Sequence, residues 1–220
     1  MRRYVAKASA IRGRASRGRM IGLKRFVELI AFAAALGAQN PLLKPGLYAT
    51  LQTSNGAITA RLYEKETPIA VRNFVALAQG TKPWKDPKTG ALVKRPLYDN
   101  LTFHRVLPGL MIQSGDSTGT GSHDCGITIR DEFLPGLRFD RAGRLAVANT
   151  GAPDSGGCQF FITTDVMPQW SGKYTIFGEV VAGLEVADKI SHVRVRGDRP
   201  VDPAELIGVT IERISPAPRK

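Results

Sequence analysis

Leu47–Glu66 alternates apolar and polar residues on both sides of Ser54-Asn55-Gly56. A period of two sorts side chains onto opposite faces of a strand, and Asn-Gly marks a tight turn, so this stretch predicts a β-hairpin. The period then changes. In TPIAVRNFVALAQG (67–80), Ile69, Val71, Phe74, Val75 and Leu77 share one face of a helix. Thr67 suits its N-cap, Pro68 its first turn and Gly80 its left-handed stop. Residues 81–96 are rich in Pro, Lys and Gly and predict a surface excursion, with Trp84 packing it down. Short apolar strands follow: LTFHRV, LMIQSG, ITIRDE, RLAVAN, QFFITT, YTIFGEV and IGVTIERI. GLEVADKI, between the last two, predicts a second helix. Many short strands and only two helices predict a closed antiparallel β-barrel with the helices over its open ends. No repeat or long linker divides it, and SPAPRK at the end reads as a frayed tail.

The N-terminal 38 residues follow another pattern. Lys24 and Arg25 precede FVELIAFAAALGA, an apolar run of signal-peptide length and too short to cross a bilayer. Ala35 and Gly37 supply small residues for cleavage after Gly37 or Ala38, and Met20 offers an alternative start. Residues 1–38 are therefore expected to be a basic leader and signal peptide, residues 39–214 the domain and 215–220 the tail. An uncleaved leader anchoring the domain to the inner membrane is the alternative. Export would place the domain in the periplasm or outside the cell.

Charge adds less than it first suggests. The net charge is +12, but residues 1–38 carry nine Arg or Lys against Glu28 alone, which is +8. The other 182 residues carry +4, which argues against a nucleic-acid-binding body. His104, His123, His192, Cys125 and Cys158 have no metal-ligand spacing. No strand-to-helix elbow surrounds Ser114 or Ser155, so a serine hydrolase is disfavoured, and no Gly-rich phosphate loop opens a helix. One stretch stays unexplained. FHRVLPGLMIQSGD (103–116) places Arg105 and Gln113 among apolar strand residues, where burying polar groups without partners is costly. Both face solvent, or both face one shared pocket.

Three blocks favour the pocket: FHRVLPGLMIQSGDSTGTG, GRLAVANTGAPDSGGCQFFIT and WSGKYTIFGEVVAGLEVADKI. Together, in this order, they resemble the cyclophilin-type peptidyl-prolyl cis-trans isomerases over about residues 45–214. Segment 81–96 and Tyr174 are similar to bacterial members. The resemblance implies an eight-stranded barrel capped by two helices, with a substrate groove on its outer wall. It implies an isomerase acting on proline-containing polypeptides as a monomer, with no cofactor, no metal and no nucleic acid. It makes Arg105 catalytic and Gln113 the amide that orients it. Leu110, Met111, Ala148, Asn149, Gln159, Phe161, Trp170, Ser171 and Tyr174 are then the substrate-binding positions. The pleat allows only one of Phe160 and Phe161 to face the groove, and the resemblance selects Phe161.

Departures qualify the match. Leu110 stands where the family commonly has Phe, Tyr174 where many members have His, and Ser171 where Leu commonly follows the Trp. These leave a weakly active binder of proline-containing segments as the alternative. Trp170 implies cyclosporin binding, which the same departures should weaken. Finally, Cys125 and Cys158 fall on loops that flank one end of the groove in this family. In an oxidising compartment they are expected to form a disulfide; the alternative is two unrelated buried thiols.

Overall fold

The computed structural model describes residues 43–216. The leader, its cleavage site, the alternative start at Met20 and the last four residues of the tail lie outside the described residues. Among the described residues, no helix is long and apolar enough to cross a membrane.

The predicted hairpin is β1 (Gly46–Thr53) and β2 (Gly56–Leu62), paired from Thr53↔Gly56 to Leu47↔Leu62. The helix after it is α1 (Pro68–Ala78). Segment 81–96 folds on itself through β3 (Trp84–Lys85) and β4 (Leu92–Val93). Trp84 is buried as expected. Its indole N–H donates to the Arg95 carbonyl (2.9 Å), and the Arg95 guanidinium lies over its ring. Then come β5 (Leu101–Thr102), β6 (Arg105–Leu107), β7 (Met111–Ser114), β8 (Arg144–Val147), β9 (Phe160–Thr163) and β10 (Ile176–Ala182). Helix α2 (Leu184–Ser191), the small hairpin β11 (Val195–Arg196) and β12 (Arg199–Pro200), and the long β13 (Glu205–Ile214) complete the domain.

The main sheet is antiparallel and runs β5-β13-β1-β2-β10-β8-β9-β7-β6. This corrects the expected closed eight-stranded barrel: nine strands form a ladder whose two ends do not pair. The predicted strand LTFHRV breaks in two, and its halves, β5 and β6, are those two ends. Phe103 and His104, between them, belong to no strand and are both buried. Only these two residues join the ends, so Thr102 and Arg105 lie within about 11 Å of one another. The sheet therefore curls until its edges face each other.

Two further expectations are corrected. ITIRDE forms no strand; it makes one bridge, Ile129↔Gly156. Its acidic end serves turns instead. Asp131 and Asp154 exchange carboxylate-to-backbone hydrogen bonds, and Glu132 turns toward α1. Thr67 does not cap α1, since its hydroxyl donates back to the Tyr63 carbonyl. The Glu132 carboxylate accepts the N–H groups of Ile69 (3.1 Å) and Ala70 (2.9 Å) in its place. Gly80 ends the helix as expected, at φ +67°, and a Cβ there would strike the Pro96 backbone.

The core lies inside the curl. Leu51, Ile58, Val106, Ile112, Leu145, Phe160, Ile162 and Phe177 meet the buried faces of α1 and α2 there. Phe74 from α1 is the centre of an aromatic group, with ring centroids 5.0 Å from Tyr98, 5.4 Å from Phe160 and 5.1 Å from Phe177.

Candidate active site

Strand register explains how Arg105 and Gln113 stay out of that core. Arg105 pairs with Gln113, Gln113 with Phe161, Phe161 with Ala146, and Ala146 with Ile176. Side chains of directly paired residues share a face, so this row across β6, β7, β9, β8 and β10 points outward. The adjacent row, Val106, Ile112, Ile162 and Leu145, points inward and is buried in the core. The polar side chains in FHRVLPGLMIQSGD thus alternate with core residues.

The outward row carries its own apolar cluster, distinct from the core. Met111, Phe139, Ala146, Phe161, Met167 and Ile176 are buried in it. Leu107, Leu110, Ala148, Trp170 and Tyr174 pack against them and stay partly exposed. The aromatic geometry is specific. Phe139 stacks on Phe161 at 5.8 Å, and Trp170 and Tyr174 meet Phe161 edge-on at 5.4 Å and 5.2 Å. Trp170 reaches this position from a single 3-10 turn, Pro168–Trp170. Phe160 and Phe161 separate as the pleat requires, one to each cluster.

At the edge of this cluster runs a chain of polar side chains. The Arg105 Nη1 donates to the Gln113 Oε1 (3.1 Å), the Gln113 Nε2 to the Gln159 Oε1 (2.8 Å), and the Gln159 Nε2 to the Gly121 carbonyl (3.1 Å). The direction is dictated by chemistry. A guanidinium only donates, so Gln113 must offer it oxygen and turn its amine onward, and Gln159 must do the same. The Arg105 Nε donates to the Asp198 Oδ2 at 2.7 Å. That ion pair holds the Asp198 carboxyl below its usual range. Gly121 is presented by a turn built on Asp116, whose carboxylate accepts the N–H groups of Thr118, Thr120 and Gly121. Burial alone would raise the Asp116 pKa, yet these hydrogen bonds bring it below the ordinary value. His104, next to Arg105, is buried and neither ring nitrogen has a hydrogen-bond partner; burial lowers its pKa.

The remaining predicted positions lie around this frame. Asn149 does not enter the apolar cluster; its amide donates to the Lys173 carbonyl and accepts from the Gly151 N–H. Ser171 accepts the Phe139 N–H through its hydroxyl (3.1 Å), so it holds the loop that delivers Phe139. Cys125 and Cys158 are joined as a disulfide with Cα atoms 6.5 Å apart, one residue before Gln159. Strand β7 passes close to this point, and only a residue without Cβ fits at Gly115, where a Cβ would strike the Cys158 carbonyl. Sequence reasoning missed Asp198 and Phe139. Asp198 sits in a polar turn, and Phe139 stands between Arg138 and Asp140, so neither had a periodic pattern to mark it.

The arrangement is an outer-wall groove with an apolar floor, an aromatic rim and a fixed cation at one edge. It has no nucleophile paired with a base. It suits a ligand that needs apolar contact and one directed positive charge. Comparisons with known proteins identify the family of the chain. Residues 48–211 match the family model described as cyclophilin type peptidyl-prolyl cis-trans isomerase/CLD. The chain is 44% identical over 170 residues to peptidyl-prolyl cis-trans isomerase B of Streptomyces anulatus, covering 76% of this chain and 97% of that protein. It is 44% identical over 166 residues to peptidyl-prolyl cis-trans isomerase A of Mycobacterium tuberculosis, covering 74% and 91%. Among solved structures, a cyclophilin type isomerase of Cryptosporidium parvum superposes with a TM-score of 0.66 at 30% identity, covering 76% of this chain and 98% of that one. The same kind of match holds for that protein crystallised in the presence of the dipeptide Ala-Pro, with a TM-score of 0.64. The chain belongs to the cyclophilin-type peptidyl-prolyl cis-trans isomerases.

Proposed function

We propose that this isomerase lowers the X–Pro rotation barrier by stabilising the twisted amide with the Arg105 guanidinium. The planar amide C–N bond is partly double, which sets a barrier of about 20 kcal/mol. Rotation needs no bond cleavage and no proton transfer. As the bond twists, the prolyl nitrogen pyramidalises and its lone pair becomes a hydrogen-bond acceptor. A guanidinium aimed at that nitrogen binds the twisted state more strongly than either planar state, and such differential binding is catalysis. The twisted amide has lost resonance and is less polar than the planar one, so the apolar floor of Met111, Phe161 and Leu110 favours it too. Gln113 holds the guanidinium through its Oε1 and Gln159 through one N–H of its Nε2, which leaves the second N–H of that amide for the substrate carbonyl. The observation that carries this reading is the hydrogen-bonded Arg105 at the edge of an otherwise apolar groove.

An isomerisation assay on a short X–Pro peptide tests it. Arg105→Ala is expected to fold normally and to lose about 100-fold in kcat/KM, equivalent to ~2.7 kcal/mol of barrier. Arg105→Lys recovers little, because an ammonium lacks the planar fork. Near-normal turnover in a folded Arg105→Ala protein defeats the mechanism. In the same assay cyclosporin inhibits through Trp170, more weakly than in members with the full aromatic set, because Leu110 offers no ring face. The clients are proline-containing chains folding outside the cytoplasm, and the protein acts as a monomer after cleavage near Ala38. N-terminal sequencing and light scattering of protein from the exported fraction check this; an intact leader there favours membrane anchoring.

A further inference from the structure

We infer that Asp198 is a positioning residue for the isomerase reaction, acting through Arg105. This rests on the reading that Arg105 stabilises the twisted amide. An arginine side chain has four rotatable torsions, and one hydrogen bond cannot fix the plane of its head group. Gln113 holds Nη1 and leaves the guanidinium free to turn about that contact. The bond from Nε to the Asp198 carboxylate, at 2.7 Å, is the second point that sets the plane. Two of the five donors are thereby used, and three remain for the substrate. The pair sits at the surface, with 42% of the Arg105 side chain and 48% of the Asp198 side chain exposed. An exposed pair contributes little to stability, so its value lies in orientation.

Asp198 is itself held in place. Its backbone carbonyl accepts the Val106 N–H at 2.8 Å, which ties the β11–β12 turn to the strand that carries Arg105. Gly197 before it adopts φ +67°, the left-handed conformation that lets the chain turn there. The next residue, Arg199, donates to the Thr120 carbonyl at 2.6 Å. Thr120 adjoins Gly121, where the amide chain from Arg105 ends. The contacts thus form a closed ring: Asp198, Arg105, Gln113, Gln159, the Thr120–Gly121 turn, Arg199 and back to Asp198. A ring holds the guanidinium from both ends, where an open chain would hold it from one.

The test is a double-mutant cycle on the full chain, read by peptide isomerisation and by thermal unfolding. Asp198→Ala is expected to lower kcat/KM about 10-fold, or ~1.4 kcal/mol, chiefly through kcat, with KM within about twofold and little change in Tm. Asp198→Asn keeps an acceptor oxygen in the same place and stays within about threefold of the natural protein. In an Arg105→Ala background, Asp198→Ala costs nothing further, as expected for residues acting as one unit. Equal losses in Asp198→Asn and Asp198→Ala, additive losses in the double variant, or unchanged kcat in Asp198→Ala overturn the inference. A gain in kcat also overturns it, because the carboxylate would then merely quench the cation. If Arg105→Ala alone keeps its turnover, the parent mechanism has failed. If Arg105→Ala is inactive while Asp198→Ala is normal, only the role of Asp198 has failed.

Discussion

His104 and Arg105 are chain neighbours with opposite fates, and the difference is one of desolvation. The guanidinium reaches water and a carboxylate, whereas the imidazole is buried with neither nitrogen bonded. Burial pushes the His104 pKa below its ordinary value, and the nearby Asp116 charge does not overcome that. The sign of the consequence follows. The unfolded chain takes up a proton near pH 6.5 that the native state refuses, so stability is complete above about pH 6.5 and falls as pH drops toward the native pKa. Melting temperature measured from pH 7.5 to 5 should therefore decline in the natural protein and decline less in His104→Gln. Identical slopes in the two proteins would mean that His104 is not held neutral.

At the scale of elements, α1 depends on a residue far from it in sequence. A helix start leaves unbonded N–H groups and a partial positive charge, and a carboxylate satisfies both. Glu132 supplies it to Ile69 and Ala70, and is placed there partly by the bond from its own N–H to the Thr175 hydroxyl. Replacing it with Ala should cost about 0.5–2 kcal/mol, the usual range for a lost cap. Glu132→Gln should cost less, since one oxygen still accepts. Urea unfolding at pH 7 reads both, with an unchanged slope and a lower midpoint; an unmoved midpoint in Glu132→Ala would show that water satisfies these N–H groups equally well.

At the scale of the molecule, the disulfide joins the loop after the Asp116 turn to the start of β9. Cys125 and Cys158 are both buried, and the bridge closes a separation of 33 residues. In the chain-entropy model a loop of that size contributes about 3.7 kcal/mol, chiefly by restricting the unfolded chain. The double replacement by Ser should lower Tm by several degrees or more. Because Cys158 adjoins Gln159, activity should also respond to reduction. Two free thiols in non-reduced protein, or equal unfolding midpoints with and without reductant, would remove the bridge from the account. A stable disulfide suits an oxidising compartment, which supports the proposed export.

The sequence by itself determined the elements whose signal is local. Period-two alternation marked β1 and β2, helical spacing marked α1, and Gly80 marked its end, because each depends on residues a few positions apart. The residue types in the three blocks also identified the family and pointed to Arg105, Gln113 and Phe161. Only the tertiary structure decided which distant groups meet. Asp198 lies 93 residues from Arg105, and Glu132 over 60 from the helix it caps. Phe139 joins Phe161 from a loop without periodicity. The break of LTFHRV into the two sheet edges was hidden as well, since it follows from the curl of the whole sheet. Local pattern reports which face a residue presents. The partner on that face is chosen by the path of the chain, and that path is set by burying the entire core at once.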